Sequence, residues 1–189
     1  QGVIGIISSH GKIMALNVFG NQTSATTSNI DNAITYAANK GAKVINMSLG
    51  GEVYSATTQT AVSNAVSSGT FIAAAAGNGD SNGYGLVLTS SYGIYPASLA
   101  KDIDGMMSVG SFDALTGSRS VFSNCSSSYV EISGPGAYDS TDYVNGGIPS
   151  TWHSSNSTYI KQLGGYAIYG TSMSAPMISA AAALAISRY

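Results

Sequence analysis

Val44-Ile45-Asn46-Met47-Ser48-Leu49-Gly50-Gly51 is a largely apolar run closed by paired glycines, the pattern of a buried strand leaving its sheet through a tight turn. On its N-terminal side, Ile30, Ala33, Ile34, Ala37 and Ala38 recur at helical spacing. Ser28 and Asp31 offer a capping box before that stripe, and Gly41 offers a stop after it. On its C-terminal side, Thr57 to Ser68 reads as a second helix, with Ala61, Ala65 and Val66 facing inward and Gly69 ending it. Phe71 to Ala76 is the next strand, closing at Gly77-Asn78-Gly79. Further out, Ile13 to Phe19 is apolar, is bounded by Gly11 and Gly20, and reads as another buried strand. Strands alternating with helices at this spacing predict right-handed βαβ crossovers and a mostly parallel sheet with helices on both faces, a three-layer doubly wound α/β fold.

After Asn78 the composition turns to Gly, Ser, Asn and Tyr as far as Pro96. Met106 to Phe112 resumes as a strand, and Tyr129 to Ile132 reads as a shorter one before Gly134-Pro135-Gly136. Tyr138 to Gly165 has no clean period and is expected to form loops or a hairpin. The last helix runs from about Ser172 to Ser187, dense in Ala as a helix buried on most sides would be. No internal repeat or linker divides residues 1–189, which read as part of a single domain.

Composition narrows the partners. With a formal charge of -2 and only 8% charged residues, the chain has no basic patch for phosphates and no polybasic segment for an anionic membrane, so neither nucleic acid nor a membrane is an expected partner. Its longest apolar stretches fall short of the roughly 20 residues that a bilayer requires. A surface polar through Ser, Thr, Asn, Gly and Tyr is common among secreted hydrolases, and an extracellular location is the expectation. Cys125 stands alone, so cysteine usage leaves the redox compartment open. The opening Gln1-Gly2-Val3-Ile4-Gly5 has no Met and no targeting signature, and reads as the interior of a longer polypeptide.

The string Gly170-Thr171-Ser172-Met173-Ser174-Ala175-Pro176 begins the Ala-rich helix. A helix N-terminus explains a capping Ser or Thr and an early Pro, but it leaves the rest of the string unused. A nucleophile uses each part. The glycine admits substrate backbone, and the helix start presents free amides to an oxyanion intermediate. This string resembles the nucleophile motif of the subtilisin-like serine peptidases, which implies that Ser172 is the residue acylated by substrate. By the same resemblance Asn78, in Ala73-Ala74-Ala75-Ala76-Gly77-Asn78, is the side-chain donor to the oxyanion. Ser48, Leu49, Gly50 and Gly51 then pair with an extended substrate and wall its primary pocket, and Ala75, Ala76 and Gly77 form the facing part. Tyr95-Pro96-Ala97, Ser108-Val109-Gly110 and Gly134-Pro135-Gly136 also fall in the family's order, so the resemblance runs from about Gly2 to the C-terminus.

The resemblance implies a serine endopeptidase acting on protein or peptide substrates, of which this chain is the C-terminal part of the catalytic domain. It implies a subtilisin-like fold lacking the N-terminal strands and the helix that carries the catalytic His. The family's Asp and His contexts do not occur here, and without a base Ser172 stays protonated. They are expected from an upstream segment of the same protease, as a separate or nicked chain. His10, in a solvated loop before a strand, and His153, in an irregular Ser-rich stretch with no acid nearby in sequence, are not expected to substitute for the base. Two smaller departures from the family are Met177-Ile178-Ser179-Ala180 after Pro176, and Tyr169 before Gly170. No cofactor is required for the chemistry. The family often binds calcium for stability, and the Asn-rich loop around Asp80 could hold an oxygen-ligated cation, although no ligand set can be named.

Two competing readings remain. A catalytically inactive relative could use the same groove as a peptide-binding module, although such a module has no need of both Ser172 and Asn78. An α/β hydrolase of lipase type would require a G-x-S-x-G elbow and a His after the nucleophile, and the chain has neither.

Overall fold

The computed structural model describes residues 5–7, 11–137, 147–150, 161–162 and 165–188. Its elements run α1 (Thr27–Asn39), β1 (Val44–Met47), α2 (Ala56–Ser67), β2 (Phe71–Ala75), a short 3-10 helix (Ala97–Asp102), β3 (Met106–Phe112), β4 (Ile132–Pro135), β5 (Ile148–Ser150), β6 (Lys161–Gln162), β7 (Gly165–Ile168) and α3 (Thr171–Ile186). Strands β1 to β4 form a four-stranded sheet in sequence order. Every pairing within it is parallel, in the registers Val44 with Phe71, Ile72 with Met106, and Val109 with Ile132. The predicted α/β class and parallel sheet are what the chain adopts.

Side-chain alternation along β2 divides the core in two. Ile72 and Ala74 point into a cluster with Ile34, Val62, Ala65 and Met106, beneath α1, α2 and the 3-10 helix. Ala73 and Ala75 point the other way, against Val109 and Ala175 of α3. Helix layers therefore cover both faces of the sheet, and the strand between them is built of small residues because both faces are closely packed. Val62, absent from the predicted inward face of α2, is fully buried.

Local boundaries moved for identifiable reasons. Helix α1 is capped by Thr26, whose hydroxyl accepts from Asn29 N at 3.2 Å, so Ser28 lies inside the helix and forms no capping box. Asp31 instead accepts from Thr58 Oγ1 of α2 at 2.6 Å and ties the two helices together. Ser55 caps α2, which ends as predicted before Gly69, in the left-handed region at φ +86°. Strand β4 starts later than Tyr129 and extends through Gly134-Pro135. A proline is tolerated there because β4 is the outer strand of this sheet. The described residues between Tyr138 and Gly165 belong to a second, antiparallel sheet of order β5-β7-β6.

The larger correction concerns Ile13 to Phe19. Residues 11–17 carry no regular structure, and Ile13 is 87% exposed. A strand exists only by pairing, and no described strand lies along the outer edge of β1 to receive this segment. The last helix departs in a similar way. Thr171, Ser174, Ala175 and Ser179 are buried, while Leu184 and Ile186 are exposed, so α3 is buried over its first half only.

Candidate functional site

Three segments meet at the C-terminal ends of β1 and β2, where parallel sheets place their functional loops. The chain leaving β1 carries Ser48 to Gly51, the chain leaving β2 carries Ala76 to Asn78, and α3 points its N-terminus at both. Ser48 Oγ donates to the Ser172 carbonyl at 2.7 Å, and Ser172 Oγ donates to the Ser48 carbonyl at 3.3 Å. A small relay supports this contact, with Ser179 Oγ donating to Asn46 Oδ1 and Asn46 Nδ2 donating to Ser48 Oγ at 3.0 Å. Asn46, placed by the sequence inside a strand with no role, thus helps to seat the start of α3.

Asn78 is joined to the same helix start. Its Oδ1 accepts from both the backbone N–H and the hydroxyl of Thr171, each at 2.8 Å. Two donors on one atom fix the orientation of the amide, leaving Nδ2 as the open, donating end. The Thr171 hydroxyl also accepts from Gly77 N at 3.2 Å. Asn124, fully buried, braces the other side of this turn: its Nδ2 donates to the Ala76 carbonyl, its backbone N–H donates to the Gly77 carbonyl, and its Oδ1 accepts from Leu86 N. Sequence reading passed over Asn124 because it lies in a loop far from either motif.

The helix start is left open. Gly170, at φ +136°, supplies no side-chain cap, and a Cβ there would sit 3.2 Å from Asn78 Nδ2. Thr171 N is bound to Asn78 and Met173 N donates to the Gly170 carbonyl at 2.9 Å, so between them Ser172 N has no intrahelical acceptor. Chemically, the helix start combines a half-buried Ser172 hydroxyl, its own backbone N–H and, through Thr171, the free Asn78 amide at the positive end of a helix. That combination stabilises negative charge developing on a carbonyl oxygen. Tyr169, just before Gly170, packs its ring 5.5 Å from that of Phe122.

Sequence matching places this geometry in a known group. A profile of the Subtilase family matches residues 4–189. The chain belongs to the subtilase family. Subtilisin E of Bacillus subtilis is 35% identical over 189 residues, covering 100% of this chain and 42% of that protein. Among solved structures, a lanthipeptide protease superposes with TM-score 0.80 at 27% identity, covering 98% of this chain and 59% of that one. A protease from Pseudoalteromonas arctica superposes with TM-score 0.68 at 33% identity, over 86% of this chain and 47% of that one. This subtilase chain spans about half the length of the curated relatives it matches.

Within the subtilase framework, the residues assigned by resemblance fall together: Ser172 and Asn78 meet through Thr171, and Ser48 meets Ser172 directly. Leu49, Gly50 and Gly51 line a cleft of about 420 Å³ with Ser48, Phe19, Ile30 and Tyr95. Gly51 and Tyr95 exchange backbone hydrogen bonds at 2.9 and 2.7 Å, so Gly51 serves first as an anchor between loops. Ala75 and Ala76 are buried and Gly77 is half-buried. His10 and His153 lie outside the described residues.

Asp80 closes its own turn. Its carboxylate accepts from Tyr84 N, from Asn82 Nδ2 and from Asn82 N, and the Tyr84 amide foremost holds its pKa below the ordinary 3.8. Among the described residues no group of three or more His, Cys, Asp or Glu side chains converges to hold a metal ion. No helix among them is long and apolar enough to cross a membrane.

Proposed function

We propose that this chain is the nucleophile-bearing, C-terminal portion of a secreted serine endopeptidase, which cleaves peptide bonds through an acyl-enzyme at Ser172. The observation that carries this reading is the pair of hydrogen bonds that Thr171 donates to Asn78 Oδ1, which leaves Asn78 Nδ2 as the free donor at a helix start whose next residue is Ser172. In the reaction, Ser172 Oγ attacks the scissile carbonyl carbon as a base takes its proton. The oxygen, now negative, is held by Asn78 Nδ2 and Ser172 N. The C–N bond then breaks as the protonated base gives its proton to the leaving amine, and water repeats the attack to release the acid. The substrate is an extended peptide lying along Ser48 to Gly51, with the cleft beside Leu49 receiving one of its apolar side chains.

Ser172 Oγ donates a hydrogen bond to the Ser48 carbonyl, which is too weak a base to take the proton. The base and its orienting Asp come from polypeptide preceding this chain, present as a contiguous or nicked segment. The open outer edge of β1 and the exposed Ile13, Met14 and Leu16 are where that segment docks. A structural calcium at the Asn-rich loop around Asp80 is part of the same proposal, since a carboxylate accepting three N–H bonds keeps lone-pair capacity for a cation.

The test is labelling of the protein with its upstream polypeptide by a fluorophosphonate, followed by mass spectrometry of the modified peptide. Label on Ser172, lost in Ser172→Ala, is expected. An unlabelled Ser172 with the upstream polypeptide present would overturn the peptidase reading in favour of an inactive peptide-binding module.

A further inference from the structure

On the peptidase reading above, the space between Ser48–Gly51 and Ala75–Gly77 is the slot that receives the substrate side chain preceding the cleaved bond. Two glycines face this space, Gly50 from one wall and Gly77 from the other. One side chain touches both faces. A Cβ on Gly50 would lie 2.8 Å from Ile94 Cγ2, and a Cβ on Gly77 would lie 2.6 Å from Asn124 Nδ2 and 3.1 Å from Ile94 Cγ1. Glycine walls ordinarily leave room for a flat or bulky side chain, but here that room is taken by the γ-carbons of Ile94.

Ile94 is also firmly placed. Its N–H donates to Ser98 Oγ at 3.0 Å, and its carbonyl accepts from Ser98 N at 2.7 Å. The next residue, Tyr95, is bridged to Gly51 in antiparallel fashion. Ile94 is thus clamped to the same segment that forms one wall. As a β-branched side chain it has little rotameric freedom with which to move aside.

Resting on the peptidase reading above, we infer that Ile94 floors the primary specificity slot and restricts cleavage to bonds preceded by a small residue: Gly, Ala or Ser. A longer side chain would have to displace a clamped isoleucine from between two backbone walls. An aromatic one would find no depth at all.

The experiment uses the protein with its upstream polypeptide and a pair of peptide substrates differing only in Ala or Phe before the scissile bond. The readout is the ratio of their kcat/KM values, which cancels any loss of folded fraction. The unaltered protein should favour Ala by about 10- to 200-fold or more, the discrimination a filled apolar pocket supports. Ile94→Gly should shift that ratio toward Phe by at least about 10-fold. Ile94→Val, which keeps both γ-carbons and the β-branch, should leave the ratio nearly unchanged. An unaltered protein that cleaves after Phe as well as after Ala, or an Ile94→Gly variant with an unchanged ratio, overturns the inference while leaving the peptidase reading intact. Failure to cleave either substrate, together with no fluorophosphonate label on Ser172, removes both.

Discussion

Asn78 has one end of its amide committed and the other free, and this asymmetry organises the site at the residue scale. Because Thr171 supplies both donors to Oδ1, Asn78→Leu should lower kcat by about 10²–10³-fold with little change in KM, the size of loss that removing such a donor causes in the related subtilisin. Steady-state kinetics on the protein with its upstream polypeptide would check this, and a variant affected mainly in KM would refute it. Thr171→Val keeps the shape but removes one of the two donors, and should cost about 5-fold in kcat, equivalent to roughly 1 kcal/mol. Asp80 gives a pH prediction. Its pKa is lowered, first by the Tyr84 amide, so its contribution to holding the loop is complete above the ordinary 3.8 and is lost as pH falls through the lower folded value. A carboxyl NMR titration should show a midpoint below 3.8, and Asn82→Ala should move it back upward. A midpoint at or above 3.8 in the unaltered protein would contradict the observed turn. The sequence named Asn78 and Ser172 readily, because each sits in a compact string, whereas Thr171, Asn46 and Asn124 act through bonds to residues distant in the chain.

At the scale of elements, β2 is the most constrained piece of the fold. Ala73, Ala74 and Ala76 are fully buried, with helices against both faces of the strand. Ala74→Leu should therefore destabilise the protein by about 1–3 kcal/mol through overpacking, seen as a lower urea midpoint with an unchanged slope. An unaltered midpoint would mean that the interface has slack which the buried surface does not suggest. Helix α2 offers a milder case. Ser55 accepts from Thr58 N at 3.2 Å, and Ser55→Ala should cost about 1 kcal/mol. The elements legible from sequence were those with local punctuation: β1 before Gly50, α2 before Gly69, and β3 as an apolar run. Ile13 to Phe19 had the same punctuation and is not a strand here, because pairing requires a neighbour and punctuation does not provide one.

At the scale of the whole molecule, apolar surface is exposed among the described residues. No described strand pairs with the outer edge of β1, Ile13 is 87% exposed, and Met14, Leu16, Phe19, Leu184 and Ile186 are exposed as well. The 189-residue chain on its own should bind the dye ANS and self-associate, and adding the upstream polypeptide in trans should abolish both. A monomeric, dye-silent chain would show that this surface needs no cover. By itself the sequence determined the alternation of strands and helices and the strings that hold Ser172 and Asn78, since both are written in short contiguous patterns. Tertiary structure alone decided which end of the Asn78 amide faces outward, through a bond to a residue 93 positions away, and which side chain stands between Gly50 and Gly77. Those outcomes depend on how separate segments approach one another, and local propensity carries no information about that approach.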